Sequence, residues 1–452
     1  MLPPVLLRGT NQALPAEAVG TLLTLLALST PNDGHADLKA VREACDEVSL
    51  ARFSWELFEV WRANGMPATD GWVFTALGLL GDDEVARGLV PLIRAWPGES
   101  QHPRAVTGLD VLAAIGTDAA LTALNSIAQK AEFAGIKRKA REKIGEVAAG
   151  MGLTAEELGD RLVPDLGLDD ASSTVIDYGT RRFTIGFDEQ LRPFVLDESG
   201  KRLKALPKPG AKDDVEVAPA EHKRFARLKK DVRTIADDQI VRLERSMMLE
   251  RRWPAAEFRA YLVAHPLLRH LVRRLVWTTG DGRSFRVAED GTFADVRDET
   301  FPLPDDAVVG VAHPLHLGED VAAWAEVFAD YEVLQPFPQL VRPVRRFTEA
   351  ELSSRVLERF KDVEVGIGGV LRLTRGAWKR GAPMDAGIEH AITRPLPGGG
   401  SIEVTLDPGI VIGEPHEAGP QVLREIGLVG ERRTFADLSP VTASEVLAEL
   451  AT

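Results

Sequence analysis

Residues 76–93 read ALGLLGDDEVARGLVPLI, and 35 positions further on residues 111–128 read VLAAIGTDAALTALNSIA. Aligned, Leu77 falls on Leu112, Leu80 on Ile115, Gly81 on Gly116, Asp83 on Asp118, Leu89 on Leu124 and Leu92 on Ile127. Apolar residues recur at three- and four-residue steps on both sides of the glycine, which is helical spacing. The glycine ends one helix without a Cβ penalty, and an aspartate after it can cap the next. Each unit therefore predicts helix, turn, helix. One such pair cannot bury its apolar stripe, whereas stacked pairs can, and a period of this length marks an α-solenoid of HEAT type. About four stacked pairs are expected over residues 1–165, with Leu77, Leu80, Leu89, Leu112, Ile115 and Leu124 buried. The competing reading is an irregular helical bundle with one accidental internal match. A weaker third copy runs from Ile144 through GMGLTAEELGDRL. Trp55, Phe58, Trp61, Trp72 and Phe74 read as the core of the preceding repeat rather than an aromatic ligand cage.

The chain has 452 residues, 44% hydrophobic and 27% charged, which is ordinary globular composition and enough for more than one core. A mostly disordered chain is excluded. Cys45 is the only cysteine, so an intramolecular disulfide, a cysteine-rich zinc site and a Cys-ligated iron–sulfur cluster are excluded too. The run Leu22–Leu28 falls far short of the roughly 20 apolar residues that span a bilayer, and it fits a repeat helix better than a secretory signal. A cytoplasmic protein without membrane contact is the expectation.

After Pro164 the pattern changes. Residues 182–187 and 193–196 predict strands, with a turn at Asp197–Gly200 and a third strand near Arg202–Ala205. A Pro- and Gly-rich connector, Leu206–Asp214, leads to a long amphipathic helix from about Pro219 to Leu249. Phe225, Leu228, Val232 and Ile235 line one face of it, and Lys223, Arg227 and Lys230 another. Hairpins are expected across RLVWTTGDGRSFRVAEDGTFADV (274–296) and at 389–406, a short strand in AVVGVAH (307–313), a helix over Glu319–Tyr331 and a short one from Pro440. Mixed hairpins and helices without a βαβ rhythm predict an α+β region over 166–452.

Charge is unevenly distributed. Lys201–Leu275 holds 19 Lys and Arg against 10 Asp and Glu, a balance of +9; the whole chain stands at −14, so the remainder carries −23. Lys223, Arg227 and Lys230 form the candidate basic patch. A phosphate-binding surface and a solvated or self-docked basic face both fit it, and the acidic remainder offers a polyanion no second contact surface. Tight nucleic-acid binding is not expected.

Motifs with chemistry are few. Walker, G-x-S-x-G, H-E-x-x-H and EF-hand patterns are absent. Gly398–Gly400 fits a turn better than a phosphate cradle. His313 and His316 are the candidate metal ligands, with Glu319 or Asp320 as a third. Pro314 forces extended geometry between them, and a structural pair capping the next helix is the preferred reading, with no metal or other cofactor. Glu389 and Asp385 could serve as acid and base, though no spacing selects them. Gln335, Phe337, Gln339 and Arg342 sit in a proline-stiffened loop. Its amides and guanidinium either bind a ligand or satisfy an irregular backbone.

Several long segments share one likeness. GLTAEELGDRLVPDLGL (152–168), DYGTRRFTIGFDEQLRPFVLDESGKRLKALPKPGAKDD (177–214), RRWPAAEFRAYLVAHPLLRHLVRRLVW (251–277), VAHPLHL (311–317) and FADYEVLQPFPQLVRP (328–343) occur in this order. Together they resemble the bacterial domain of unknown function 4132, which includes the MolR-type proteins and often carries a WGR domain. The resemblance covers roughly Leu153–Thr452, and the upstream repeats look like those of family members. A WGR module is not recognisable here. The resemblance implies no catalytic residues. It implies partners among MoxR-type ATPases or von Willebrand A-domain proteins. A non-enzymatic adaptor or regulatory protein is the leading expectation. The rivals are an enzyme with a site near His313, His316, Gln335 and Arg342, and nucleic-acid binding through the 201–275 window.

Overall fold

The computed structural model describes residues 2–30, 35–384, 387–413, 415, 418–432 and 434–451. The chain divides into two compact units, Met1–Pro164 and Asp165–Thr452.

The first unit is helical: α1 (Ala16–Ala27), α2 (Ala36–Ala44), α3 (Glu47–Ala63), α4 (Trp72–Leu80), α5 (Asp83–Ala95), α6 (His102–Ile115), α7 (Asp118–Lys130), α8 (Ala134–Gly150) and α9 (Ala155–Arg161). Beyond neighbour-to-neighbour packing, α4 lies on α6, α5 on α7, and α6 on α8. Their shared core includes Leu77, Leu89, Ile93, Leu109, Leu112, Leu124 and Ile127. Phe58 lies tilted 5.2 Å from Phe74, which meets Trp96 edge-on at 5.4 Å, so these aromatics fill the core.

The two matched turns use their glycines differently. Gly116 is left-handed at φ +66°. Gly81 is extended, but a Cβ there would lie 2.3 Å from the Leu77 carbonyl oxygen. The caps are Asp82, which accepts from the Glu84 and Val85 amides, and Thr117, which accepts from Ala120. Asp83 and Asp118 instead open their helices, where a carboxylate favours the N-terminal dipole. Of the six leucine and isoleucine positions expected inside, five are buried; Ile115 is only partly so. Cys45 is buried at the end of α2.

Among the described residues of the second unit there are three antiparallel sheets. The first is a meander of β1 (Thr174–Asp177), β2 (Arg182–Phe187), β3 (Pro193–Leu196) and β4 (Arg202–Leu203). Helix α10 (Val217–Met248) follows, burying Phe225, Leu228 and Val232; Ala236 takes the next buried place, while Ile235 stays partly exposed. The second sheet comprises β5 (Trp253–Pro254), β6 (Val276–Thr279), β7 (Ser284–Val287), β8 (Phe293–Ala294) and β9 (Val308–Val311), in the order β5-β9-β6-β7-β8. The short helices α11 (Ala255–Glu257) and α12 (Arg269–Val272) lie between β5 and β6. After β9 come α13 (Pro314–Leu317), α14 (Asp320–Asp330) and α15 (Glu349–Leu352). The third sheet is β10 (Val363–Val365), β11 (Lys379–Arg380), β12 (Ile388–Pro395), β13 (Ser401–Val411) and β14 (Gln421–Val429), ordered β10-β14-β13-β12-β11, with α16 (Ile367–Arg375) and α17 (Pro440–Leu450). Gly398, Gly399 and Gly400 all take positive φ in the β12–β13 turn, a conformation that favours glycine.

Helix α17 is more central than a short terminal helix suggests. Val446, Leu447 and Leu450 enter the third sheet's core beside Ile402 and Val404. Ser444 and Glu445 are buried too, and α17 also contacts α10.

Candidate functional site

Proline at the first position of α13 has no amide to leave unpaired, so the turn starts cleanly after His313. His313 Nδ1 accepts the Leu315 amide at 3.2 Å, and His316 Nδ1 accepts the His313 amide at 3.1 Å. With both Nδ1 atoms accepting, each ring carries its proton on Nε2. Both Nε2 atoms face carboxylates: His313 meets Glu445 Oε1 at 3.2 Å, and His316 meets Glu250 Oε1 at 3.2 Å. The carboxylates at these rings are therefore Glu445 and Glu250; Glu319 and Asp320 are exposed. Among the described residues no group of three or more His, Cys, Asp or Glu is arranged to hold a metal ion.

Glu445 is shared. Arg342 donates from Nε to its Oε1 and from Nη2 to its Oε2, both at 2.7 Å. The same guanidinium donates from Nη1 to Glu244 Oε1 at 2.7 Å and packs Nη2 against Met248 Sδ at 3.1 Å. Burial opposes ionisation of Glu445, but hydrogen bonds from His313 and Arg342 and the arginine's charge outweigh it, bringing its pKa down to about 2. Burial likewise opposes the charge on Arg342, and Glu445 and Glu244 overcome it, holding the guanidinium protonated beyond its ordinary range. The hydrogen bond from His316 lowers the Glu250 pKa despite burial. The result is a lock joining α10, the start of α13, the 335–342 loop and α17.

The loop itself is tied by Gln339, which is fully buried. Its Oε1 accepts from the Val276 amide at 2.9 Å and from Gln335 Nε2 at 2.8 Å. Its Nε2 donates to the Val276 and Ala312 carbonyls at 2.8 and 2.7 Å. Gln335 Oε1 accepts the Leu340 amide at 3.0 Å, and Phe337 is buried. Thus His313 and Arg342 meet at Glu445, His316 pairs with Glu250, and Gln339 and Gln335 bind the backbone at Val276, Ala312 and Leu340, all partners within the protein itself.

Other candidates lie elsewhere. Lys223, Arg227 and Lys230 are exposed on α10 and take no part in the lock. Glu389 is nearly buried and paired with Arg380; Asp385 lies outside the described residues. Sequence reading missed Glu244, Glu250 and Glu445, which are ordinary members of 68 acidic residues. It also missed a crowded basic turn at α12. There burial, then repulsion from Arg273 and Arg269, lowers the His270 pKa to about 4. Arg269 Nε, His270 Nε2 and Arg273 Nε are buried without a hydrogen-bond partner among the described residues. The signal was the run RHLVRR, residues 269–274.

Residues 200–378 match the family model described as "Domain of unknown function (DUF4132)". This stretch is narrower than the resemblance read from the sequence. It contains α10, the second sheet, α13 and Arg342, but not Glu445. The lock therefore ties the DUF4132 region to a helix beyond it. The uncharacterized protein YehI of Escherichia coli (strain K12) is 37% identical over 379 residues, covering 82% of this chain and 31% of its own length. The chain thus spans about a third of that relative. No solved structure matches the chain. Among the described residues no helix is long and apolar enough to cross a membrane.

Proposed function

We propose that the chain is a non-enzymatic interaction protein whose helical unit offers a repeat surface and whose α+β unit is a second recognition module. The observation that carries this is the saturation of Glu445, His313 and Arg342 by one another. A general acid, base or nucleophile must have an atom within reach of a reacting group, and these three side chains are engaged with one another in a buried contact. The HEAT-like reading of the first unit is supported by the α4–α6–α8 and α5–α7 layers. It is supported also by Ile115, whose Cδ1 lies 3.1 Å from where a Cβ on Gly81 would stand, so the later pair packs back on the earlier turn. The MolR-like likeness nominates a MoxR-type ATPase or a von Willebrand A-domain protein as partner, inside the cell.

The test is calorimetric titration of the full chain with purified proteins of these two classes, comparing the parent with Glu445→Gln. Binding that survives Glu445→Gln at temperatures where the variant is folded supports an adaptor with a structural lock. A substrate turnover that vanishes in folded Glu445→Gln would establish the enzyme reading instead.

A further inference from the structure

The β3–β4 hairpin leaves one sheet edge open. Val195 pairs with Leu203 and Leu196 with Arg202. In the same ladder the Asp197 amide bonds the Lys201 carbonyl at 3.0 Å. Hydrogen-bonded and non-bonded pairs alternate along antiparallel strands, so Leu203 points its amide and carbonyl at β3. Arg202 and Lys204 point theirs outward, and neither makes a backbone hydrogen bond to a described residue. Residues 202–206, together with Pro193, Phe194 and Val195 of β3, line a groove of about 470 Å³ that α10 also lines through Phe225 and Lys229.

The groove has a definite chemistry. Phe194 and Phe225 line it. The Arg202 guanidinium stands 4.9 Å from the Phe194 ring centre, and Lys229 Nζ stands 4.8 Å from that of Phe225. Lys204 adds a third cation. The nearest turn carboxylates are already occupied: Asp197 accepts from Ser199 and the Lys201 amide, and Glu198 accepts the Arg182 amide. Charges on an edge strand also deter self-pairing, and a second copy of β4 would bring like cations together. An anionic partner meets no such penalty.

We propose that this groove binds an extended acidic segment of a partner protein, which adds a strand beside β4 and sets carboxylates against Arg202, Lys204 and Lys229. Strand addition satisfies the outward amides and carbonyls, and alternate side chains of the guest reach the half-buried Phe194. The inference rests on the reading of the chain as an interaction protein. It concerns the α+β unit alone, so its failure leaves the helical surface and its partners untouched.

The experiment is fluorescence anisotropy on the full chain with a labelled ten-residue peptide alternating glutamate and valine. Saturable binding is expected, weakened at least tenfold in Arg202→Glu/Lys229→Glu, both exposed substitutions with little bearing on folding. A peptide N-methylated at alternate amides should also bind at least tenfold more weakly, because strand addition needs those donors. Equal binding of the methylated peptide, equal binding of a lysine–valine peptide, or no saturation by millimolar peptide would overturn the proposal. So would a single-stranded oligonucleotide that binds tighter through the same cations. Self-association in sedimentation, abolished by the double reversal, would instead assign the edge to a second copy and overturn it as well.

Discussion

Arg342 and Glu445 stand 103 residues apart and meet in a two-pronged ion pair, with both N–O distances at 2.7 Å. Glu445 is almost completely buried, and the Arg342 side chain is 15% exposed. Removing one partner of such a pair leaves the other charge uncompensated in a poorly solvated place. Glu445→Gln is therefore expected to destabilise the second unit by roughly 3–5 kcal/mol. Replacing both, as in Arg342→Met/Glu445→Leu, removes the stranded charge and should cost much less than the sum of the single changes. Denaturant titration of the four proteins of this cycle measures the coupling, and simple additivity would contradict it.

Acid should act through the same carboxylate. The Glu445 pKa falls from an ordinary 4.5 to about 2 in the folded chain. Between these values the unfolded chain binds more protons than the folded one, so lowering the pH favours unfolding. The stabilisation is complete above about pH 4.5 and is lost as the pH falls toward 2. In Glu445→Gln this component is gone, so the variant's stability should decline less steeply across that window. Denaturant midpoints taken from pH 6 to pH 2.5 check it, and parallel curves for parent and variant would refute the assignment.

Gln339 gives a prediction independent of charge. Truncation to alanine leaves the Val276 amide and the Ala312 carbonyl without their partner in a buried place, while the Val276 carbonyl keeps the Ala312 amide at 3.0 Å. An unmet buried polar group costs about 1–3 kcal/mol, so Gln339→Ala should lower stability by at least that much. Gln335→Ala removes a half-buried partner and should cost less. Thermal unfolding compares them, and a Gln339→Ala protein that melts like the parent would mean the amide is held for something other than the loop.

These contacts mark where sequence reading stops. Local periodicity makes the 76–93 and 111–128 hairpins, the β2–β3 hairpin and α10 legible, because turn glycines and apolar steps are short-range signals. It also places Gln339 and Arg342 in one loop. It cannot choose Glu445 as their neighbour, because no pattern links a residue on α17 to a loop 103 positions earlier. Burial of Ile115 fails for a related reason: the match to Leu80 is sequential, whereas Leu80 packs with Leu22, Leu26 and Phe53 of the preceding helices. The edge of β4 was legible only as a third strand; its groove depends on where α10 returns.

Two helical glycines in the first unit should respond oppositely to a methyl group. Gly78 lies where α4 crosses α6, and a Cβ there would stand 2.8 Å from the Ala114 Cβ. That neighbour is fixed to backbone and cannot swing aside, so the helices must separate, an overpacking that costs typically about 1–3 kcal/mol. Better helix propensity returns at most about 1 kcal/mol for Gly→Ala. Gly78→Ala should therefore lose stability by up to about 2 kcal/mol. Gly145 lies inside α8, and a Cβ there would meet nothing within 4 Å. Only the propensity and unfolded-state terms act at that site, so Gly145→Ala should gain roughly 0.4–1 kcal/mol. Urea unfolding of both variants reads the two signs. Stabilisation by Gly78→Ala would show that α4 and α6 are not packed as closely as this contact requires, and the layered stacking of the helical unit would fall with it.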